Sequence, residues 1–179
     1  MYYSTSYQSP LGPLTLAANE KSIVGLWMNG QKYFLGTMKE PLSIRDDLPI
    51  FAEAKTWLDC YFADGQPAIQ ELSLAPIGGE FRQNVWKILC RIPYGQVITY
   101  GDIARKMAAL LGREHMSAQA VGGAVSHNPI SIIIPCHRVV GTNGSLTGYA
   151  GGVDKKIKLL ELEGVDISRY SIPTKGTAL

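Results

Sequence analysis

A thiol and an imidazole stand side by side at Cys136-His137, inside the apolar run Ile130-Ser131-Ile132-Ile133-Ile134-Pro135-Cys136-His137-Arg138-Val139-Val140. A thiolate is the nucleophilic form of cysteine, and a neighbouring imidazole that accepts or stabilises the proton produces one near neutral pH. The plain alternative is a small buried Cys136 packed like any other apolar residue, beside an ordinary turn histidine. A carboxylate would complete a nucleophile, base and orienting group. Glu161 and Glu163 are the candidates. Glu161 has Lys158 three residues before it and reads as a solvated surface residue, whereas Glu163 is flanked at helical spacing by Leu159, Leu160 and Ile167 and is the better choice.

Several elements must position this stretch. The chain opens with three alternating or apolar segments, Tyr2–Gln8, Pro13–Ala18 and Ser22–Met28, split by turn residues; that spacing predicts an antiparallel meander. Phe51, Ala54, Leu58 and Tyr61 then mark one face of a helix. Trp27, Trp57 and Cys60 read as core or core-edge residues, and nothing in residues 1–75 carries catalytic chemistry. Ala75-Pro76-Ile77-Gly78-Gly79 reads as a linker, which places a boundary near residue 78 and divides the chain into domains 1–78 and 79–179.

Beyond it, apolar residues at 81, 85, 88, 89 and 92 predict a helix, with Trp86 and Cys90 off its centre and Cys90 structural. Thr99 and Asp102 make a capping box for a second helix whose buried face is Ile103, Met107, Leu110 and Leu111. Ser117 caps a third, which ends at His127-Asn128-Pro129. The pair reads as a helix-turn-helix with a long connection. Gly122 and Gly123 inside the third helix each cost about 1 kcal/mol relative to alanine, so close approach of another backbone, from protein or nucleic acid, is expected. Asn143-Gly144 predicts a type I′ hairpin forming a small wing, and Asp154–Glu163 a last helix capped by Asp154 and closed by Gly164.

Composition narrows the class. With 46% hydrophobic and 18% charged residues over 179 positions, the chain is globular. Cys60, Cys90 and Cys136 are odd in number and lack CxxC spacing, which argues against a disulfide framework or a structural zinc site. Met1–Ser6 has neither a basic nor an apolar leader region, and the expected compartment is the cytoplasm. Residues 1–78 hold five basic and eight acidic side chains and residues 79–179 twelve and seven, a net −3 and +5, so a polyanion would meet the second half.

Ala120-Val121-Gly122-Gly123-Ala124, Asn128-Pro129, Ile134-Pro135-Cys136-His137-Arg138-Val139, Gly148-Tyr149-Ala150-Gly151-Gly152 and Leu162-Glu163-Gly164 closely resemble the O6-alkylguanine-DNA alkyltransferases, in order and spacing, over roughly residues 79–164. The resemblance implies an α+β fold: a small N-terminal α/β domain with an antiparallel, ribonuclease H-like sheet, then a mainly helical, winged-helix-like domain that binds DNA and carries the chemistry. It implies single-turnover transfer of an alkyl group from guanine O6 in double-stranded DNA to Cys136, with His137 as base, Glu163 as its orienting group, Tyr100 neutralising charge on the departing guanine and Asn128 tying the third helix to the reactive turn. O4-alkylthymine is a second lesion the resemblance admits. Pro135 and Tyr149 would wall the guanine, with backbone groups near Val139 and Ala150 holding it. The chain would act as a monomer without cofactor or metal, meeting the minor groove through Ser117, Gln119, Ala120, Gly122, Gly123 and Arg138 and flipping the target base out.

Three departures stand out. Gln119 replaces an arginine that many members use to fill the gap left by the flipped base, the 108–115 connection is longer than in many relatives, and Ala150 replaces a serine seen in some. Two other classes stay open: a lesion-binding or regulatory DNA module that leaves the alkyl group in place, and a Cys-His-Glu hydrolase of small esters.

Overall fold

Turn chemistry and alternation set the first unit. The computed structural model describes residues 1–36 and 38–174. β1 (Tyr2–Ser9) and β2 (Gly12–Ala18) pair antiparallel with Ser9 opposite Gly12, and Ser9 Oγ fastens the turn by donating to the Gly12 carbonyl at 2.7 Å and accepting from Leu11 N at 3.1 Å. β3 (Ile23–Met28) adds antiparallel to β2 and is buried along its whole length, as its near-continuous apolar sequence requires. The meander therefore forms as expected. The sheet is not wholly antiparallel: a fourth strand, β4 (Leu42–Ile44), lies parallel to β1, giving the order β3-β2-β1-β4. At three residues, Leu42-Ser43-Ile44 is too short for its alternation to stand out.

Helix α1 (Pro49–Phe62) starts with proline at a position whose N–H would be unsatisfied anyway, and buries Phe51, Ala54, Leu58 and Tyr61. Ala17, Val24 and Trp27 form a core with Tyr2, Leu42, Ala75 and Ile77. Trp57 is buried too, but Cys60 is exposed, correcting its placement in the core: on α1 it lies away from the Phe51–Leu58 face. Backbone pairing of Leu26 with Pro129 and Ser131, at 2.9 Å each, covers the β3 edge. That segment, Pro129–Ile133, joins Met1–Gly78 in one compact unit; the second comprises Gly79–Asn128 and the chain from Ile134 onward. The expected boundary near residue 78 coincides with the change of unit, and Pro129–Ile133, which bonds to β3 through Pro129 and Ser131, groups with the first unit.

The second unit is built on helices. α2 (Glu80–Leu89) buries Val85, Trp86 and Leu89; Trp86, expected off the stripe, is 1% exposed and donates from Nε1 to the Ala124 carbonyl at 2.9 Å. α3 (Tyr100–Leu110) begins with the expected box, Asp102 N donating to Thr99 Oγ1 at 3.0 Å and Thr99 N to Asp102 Oδ2 at 2.9 Å. Its buried face is Ile103, Ala104, Met107 and Ala108; Leu110 is 59% and Leu111 39% exposed, so the expected stripe shifts toward smaller residues at the helix end. α4 (Ala118–Ser126) is capped by Ser117, whose Oγ accepts from Ala120 N at 3.3 Å.

The turn at Asn143-Gly144 is not the expected type I′ turn. Gly144 has φ +79° but Asn143 is not in the left-handed region, which a type I′ turn requires. The turn is closed by Gly141 N donating to the Ser145 carbonyl at 2.8 Å, while β6 (Val139–Val140) pairs in parallel with β5 (Ile98–Thr99). Parallel pairing buries Val140 with Leu146 and Leu160, an apolar gain that a solvent-exposed wing would forgo. α5 (Val153–Leu162) starts after Gly152 with no side-chain cap; Asp154 sits in its first turn, and Gly164 closes it at φ +79°. Truncating Met107 to Ala should cost about 2–5 kcal/mol of unfolding free energy, while Leu110→Ser should change it by less than about 0.5 kcal/mol; urea denaturation measures both.

Candidate active site

Cys136 opens a single 3-10 turn, Cys136–Arg138, entered through Pro135 and left through Val139. The turn buries its basic residues along with the thiol: Cys136 is 5% exposed, His137 0% and Arg138 6%. A buried guanidinium and a buried imidazole need partners. Glu163, just past the end of α5, supplies them. Its Oε1 accepts from His137 Nε2 at 2.6 Å and Arg138 Nη2 at 3.0 Å, and its Oε2 from Arg138 Nε at 2.8 Å and Gly95 N at 3.1 Å. Four donors saturate both oxygens. Arg138 also donates to the Ile92 carbonyl at 2.6 Å and lies over the Tyr94 ring. Glu161 is exposed, so the choice of Glu163 over Glu161 agrees with the geometry.

Gly95 shows how tight this clamp is. Its φ is +75°, and a Cβ there would fall 2.8 Å from the Glu163 carbonyl oxygen. Glycine alone allows both the turn and the amide bond to the carboxylate.

Charge follows from these contacts. Burial works to raise the Glu163 pKa, but the bonds and charges of His137 and Arg138 outweigh it and hold the carboxyl well below the usual range. Burial pushes the His137 imidazole down, with Arg138 and Lys156 adding to that and Glu163 opposing it. Arg138 already neutralises Glu163, so we take His137 as neutral at rest. Donation from Nε2 to the carboxylate fixes the tautomer and makes Nδ1 the basic nitrogen. Burial likewise raises the Cys136 thiol, opposed by a hydrogen bond from the Asn128 amide, the charge of Lys156 and two backbone N–H groups. The resting state is a thiol beside a neutral base.

The other expected residues fall in three places. Asn128, 4% exposed, donates from Nδ2 to the Ile134 carbonyl at 2.8 Å and so ties the end of α4 to the reactive turn. The Tyr149 ring meets His137 edge to face at 6.5 Å, and Pro135, directly before Cys136, and Val139, directly after the 3-10 turn, are both buried. Tyr100 donates its hydroxyl to the Thr147 carbonyl at 3.0 Å, and burial raises its pKa, which keeps it a donor. It lines a groove of about 670 Å³ with Gln119, Gly122, Gly123, Thr147 and Gly148. Ser117, Gln119, Ala120 and Gly123 are exposed on α4; Gly122 is half-buried against the Tyr100 ring, and Ala150 is half-buried in the loop before α5. Arg138 is the exception. Expected to contact DNA, it is buried in the Glu163 clamp, because a carboxylate held in the interior needs a permanent cation.

Pattern reading missed Gly95 and Lys156. Lys156 on α5 is 0% exposed and donates from Nζ to the Val139 carbonyl and, at 2.9 Å, to that of Thr147. A lysine flanked by Lys155 and Lys158 looks like one more surface charge. Its helical neighbours Gly152, Leu159 and Leu160 were the available signal.

Two family models cover the chain: the 6-O-methylguanine DNA methyltransferase ribonuclease-like domain over residues 1–76, and the DNA binding domain of the same proteins over residues 80–165. A methylated-DNA–protein-cysteine methyltransferase of Methanosarcina acetivorans is 43% identical over 165 residues, covering 92% of this chain and 99% of the relative. The chain belongs to the 6-O-methylguanine DNA methyltransferase family. The namesake from Mycobacterium leprae is also 43% identical, over 91% of this chain and 93% of its own. A Mycobacterium tuberculosis OGT solved in complex with DNA superposes with a TM-score of 0.76 at 40% identity, covering 94% of each chain. These matches agree with the fold class read from the sequence, a small sheet domain followed by a helical one.

Glu163→Gln should cost about 3–5 kcal/mol, because it leaves Arg138 buried without its counter-charge. Acidification should act in the same direction. Both His137 and Glu163 have folded-state values below their ordinary 6.5 and 4.5, so the unfolded chain takes up protons that the folded one refuses. Urea midpoints should therefore fall as pH drops through about 6.5 and more steeply below about 4.5; the variant should flatten the lower limb.

Proposed function

We propose that this chain repairs DNA by moving an alkyl group from guanine O6 to Cys136 Sγ, once per molecule. The observation that carries the reading is a buried cysteine next in sequence to a buried imidazole whose Nε2 lies 2.6 Å from the Glu163 carboxylate. The Cys136 proton passes to His137 Nδ1, and Glu163 stabilises the imidazolium. The thiolate attacks the alkyl carbon, the S–C bond forms as the C–O6 bond breaks, and the electron pair goes to the guanine. Tyr100 neutralises that developing charge as a hydrogen-bond donor. The product is a thioether, which none of the side chains named here can cleave, so Cys136 is spent.

A base inside a duplex cannot reach the sulfur of a residue as buried as Cys136, so the lesion is taken out of the stack. The exposed small residues of α4 support minor-groove docking, with Ser117, Ala120, Gly122 and Gly123 admitting the duplex and Gln119 entering the gap left by the base. Pro135, Val139, Tyr149 and Ala150 surround the extruded guanine in this reading, and Asn128 keeps the turn in place. We take residues 1–78 as a structural domain and residues 79–179 as the DNA-binding and alkyl-accepting one. No helix among the described residues is long and apolar enough to cross a membrane; with DNA as partner, we place the protein in the cytoplasm.

Incubation with a duplex containing O6-methylguanine should add one methyl mass to the Cys136 peptide and saturate near one equivalent. Multiple turnovers, as a hydrolase would give, or a tight complex with the methyl group still on DNA, as a lesion-binding module would give, would overturn this reading. Gln119→Ala should slow repair of the duplex about tenfold more than it slows reaction with the free alkylated base, the equivalent of about one lost hydrogen bond.

A further inference from the structure

Among the described residues, Lys156 is a buried cation without a counter-ion. None of the ion pairs among the described residues includes it. It sits on α5 at 0% exposure with its ammonium directed at two carbonyl oxygens, Val139 and Thr147. Both matter to the chemistry. Val139 follows the reactive turn, and the Thr147 carbonyl is also the acceptor of the Tyr100 hydroxyl. Carbonyl dipoles solvate an ammonium only in part, and burying an unpaired charge is unfavourable enough that such a group neutralises or finds an anion.

The charged and titratable groups nearby restrict what that anion is. Glu163 has both oxygens filled by His137, Arg138 and Gly95. Arg138 and His137 bear or acquire positive charge, and Tyr100 and Tyr149 are held as phenols. Cys136 is left. The electrostatic influence is mutual: Lys156 favours the Cys136 thiolate, and that thiolate favours the ammonium.

We propose that Lys156 is a positioning residue for alkyl transfer, a fixed buried charge whose counter-ion is the Cys136 thiolate formed during the reaction, and whose hydrogen bonds hold the Val139 and Thr147 carbonyls beside it. The inference rests on the alkyl-transfer reading. At rest the site holds Lys156⁺, the Arg138⁺–Glu163⁻ pair, a thiol and a neutral imidazole. Moving one proton from Cys136 to His137 leaves the total charge unchanged but completes two new pairs, thiolate with Lys156 and imidazolium with Glu163. When the S–C bond forms and the C–O6 bond breaks, the negative charge leaves with the guanine. Burial lowers the Lys156 ammonium to about 8, with Cys136 opposing that shift, so the charge is present at neutral pH.

The thiolate can be read without DNA. Iodoacetamide modification across pH, followed by mass spectrometry of the Cys136 peptide, separates this sulfur from Cys60 and Cys90. Lys156→Gln keeps a hydrogen-bond donor without charge, and Lys156→Met removes both. Each should slow Cys136 modification at pH 7 about tenfold or more and displace the profile upward, the size expected when an opposite charge at close range is lost. Methyl transfer from an O6-methylguanine duplex should fall in parallel. Lys156→Arg, whose charge does not titrate away, should bring the midpoint to lower pH than wild type. A folded neutral variant with the wild-type profile overturns the proposal. Should neither neutral variant fold, the Arg variant decides: a midpoint equal to or above wild type overturns it. A wild-type protein that fails to accept methyl groups, while its thiol still responds to Lys156 in this way, would instead sink the alkyl-transfer reading and with it the positioning role, leaving only the pairing of Lys156 with the Cys136 thiolate.

Discussion

The second unit depends on the saturation of one buried carboxylate. Glu163 gathers donors from the loop before β5, through Gly95, and from the reactive turn, through His137 and Arg138. Each of those donors is itself fixed: Gly95 by a backbone conformation only glycine adopts easily, Arg138 by the Ile92 carbonyl, His137 by burial. A carboxylate in the interior is unfavourable unless paired and fully hydrogen-bonded, and here it is both. The same four bonds that make it tolerable decide where the turn must sit. Stability and the geometry of the Cys136–Arg138 turn are thus one constraint.

That constraint also sets the division of labour between two adjacent basic residues. Had His137 been the only partner of Glu163, the pair would share a proton between a buried acid and a buried base, and the imidazole would be charged before any substrate arrived. Arg138 removes that ambiguity, since a guanidinium does not give up its proton. Glu163 is neutralised permanently, the imidazole stays uncharged, and the carboxylate still fixes its tautomer. A charged His137 at rest would have nothing left to take from Cys136. The Pro-Cys-His-Arg order therefore carries a charge argument as well as a spatial one.

Much of this was legible in the sequence, and the failures share a cause. The meander, α1, both helix caps and the Cys136–His137–Glu163 set follow from local rules: alternation, periodicity, capping residues, and a carboxylate lacking a basic helical partner. The departures involve residues whose environment comes from elsewhere in the chain. β4 exists because β1 offers it an edge, and Pro129–Ile133 runs along β3 for the same reason. Within that segment Ile132 takes φ +71°, a conformation costly for a β-branched residue; an apolar isoleucine run gives no hint of it. Val139–Val140 leave the expected hairpin for β5. Arg138 and Lys156 look like surface charges because charge predicts exposure unless a partner is known. In both cases the partner lies at least nine residues away, and only the fold brings it near.

Helix α4 presents the converse case, a feature the fold does not require. Val121, Ala124 and Val125 bury one side, and Ser117, Gln119, Ala120 and Gly123 face outward. Two interior glycines together weaken the helix by about 2 kcal/mol relative to alanine. Packing does not force either of them: a Cβ at Gly123 would meet nothing within 4 Å, and one at Gly122 would only touch the Tyr100 ring at ordinary contact distance. The expectation that a neighbouring protein backbone explains them is therefore incorrect. What remains of that expectation is the nucleic acid. A face without side chains lets a phosphodiester backbone approach closely. On such a face one long polar side chain, Gln119, stands out against its neighbours, beside the groove that Tyr100 lines. Under the function proposed above, that cost in helix stability is offset in the complex, where the smooth face would admit the duplex and Gln119 would meet the place the base has left.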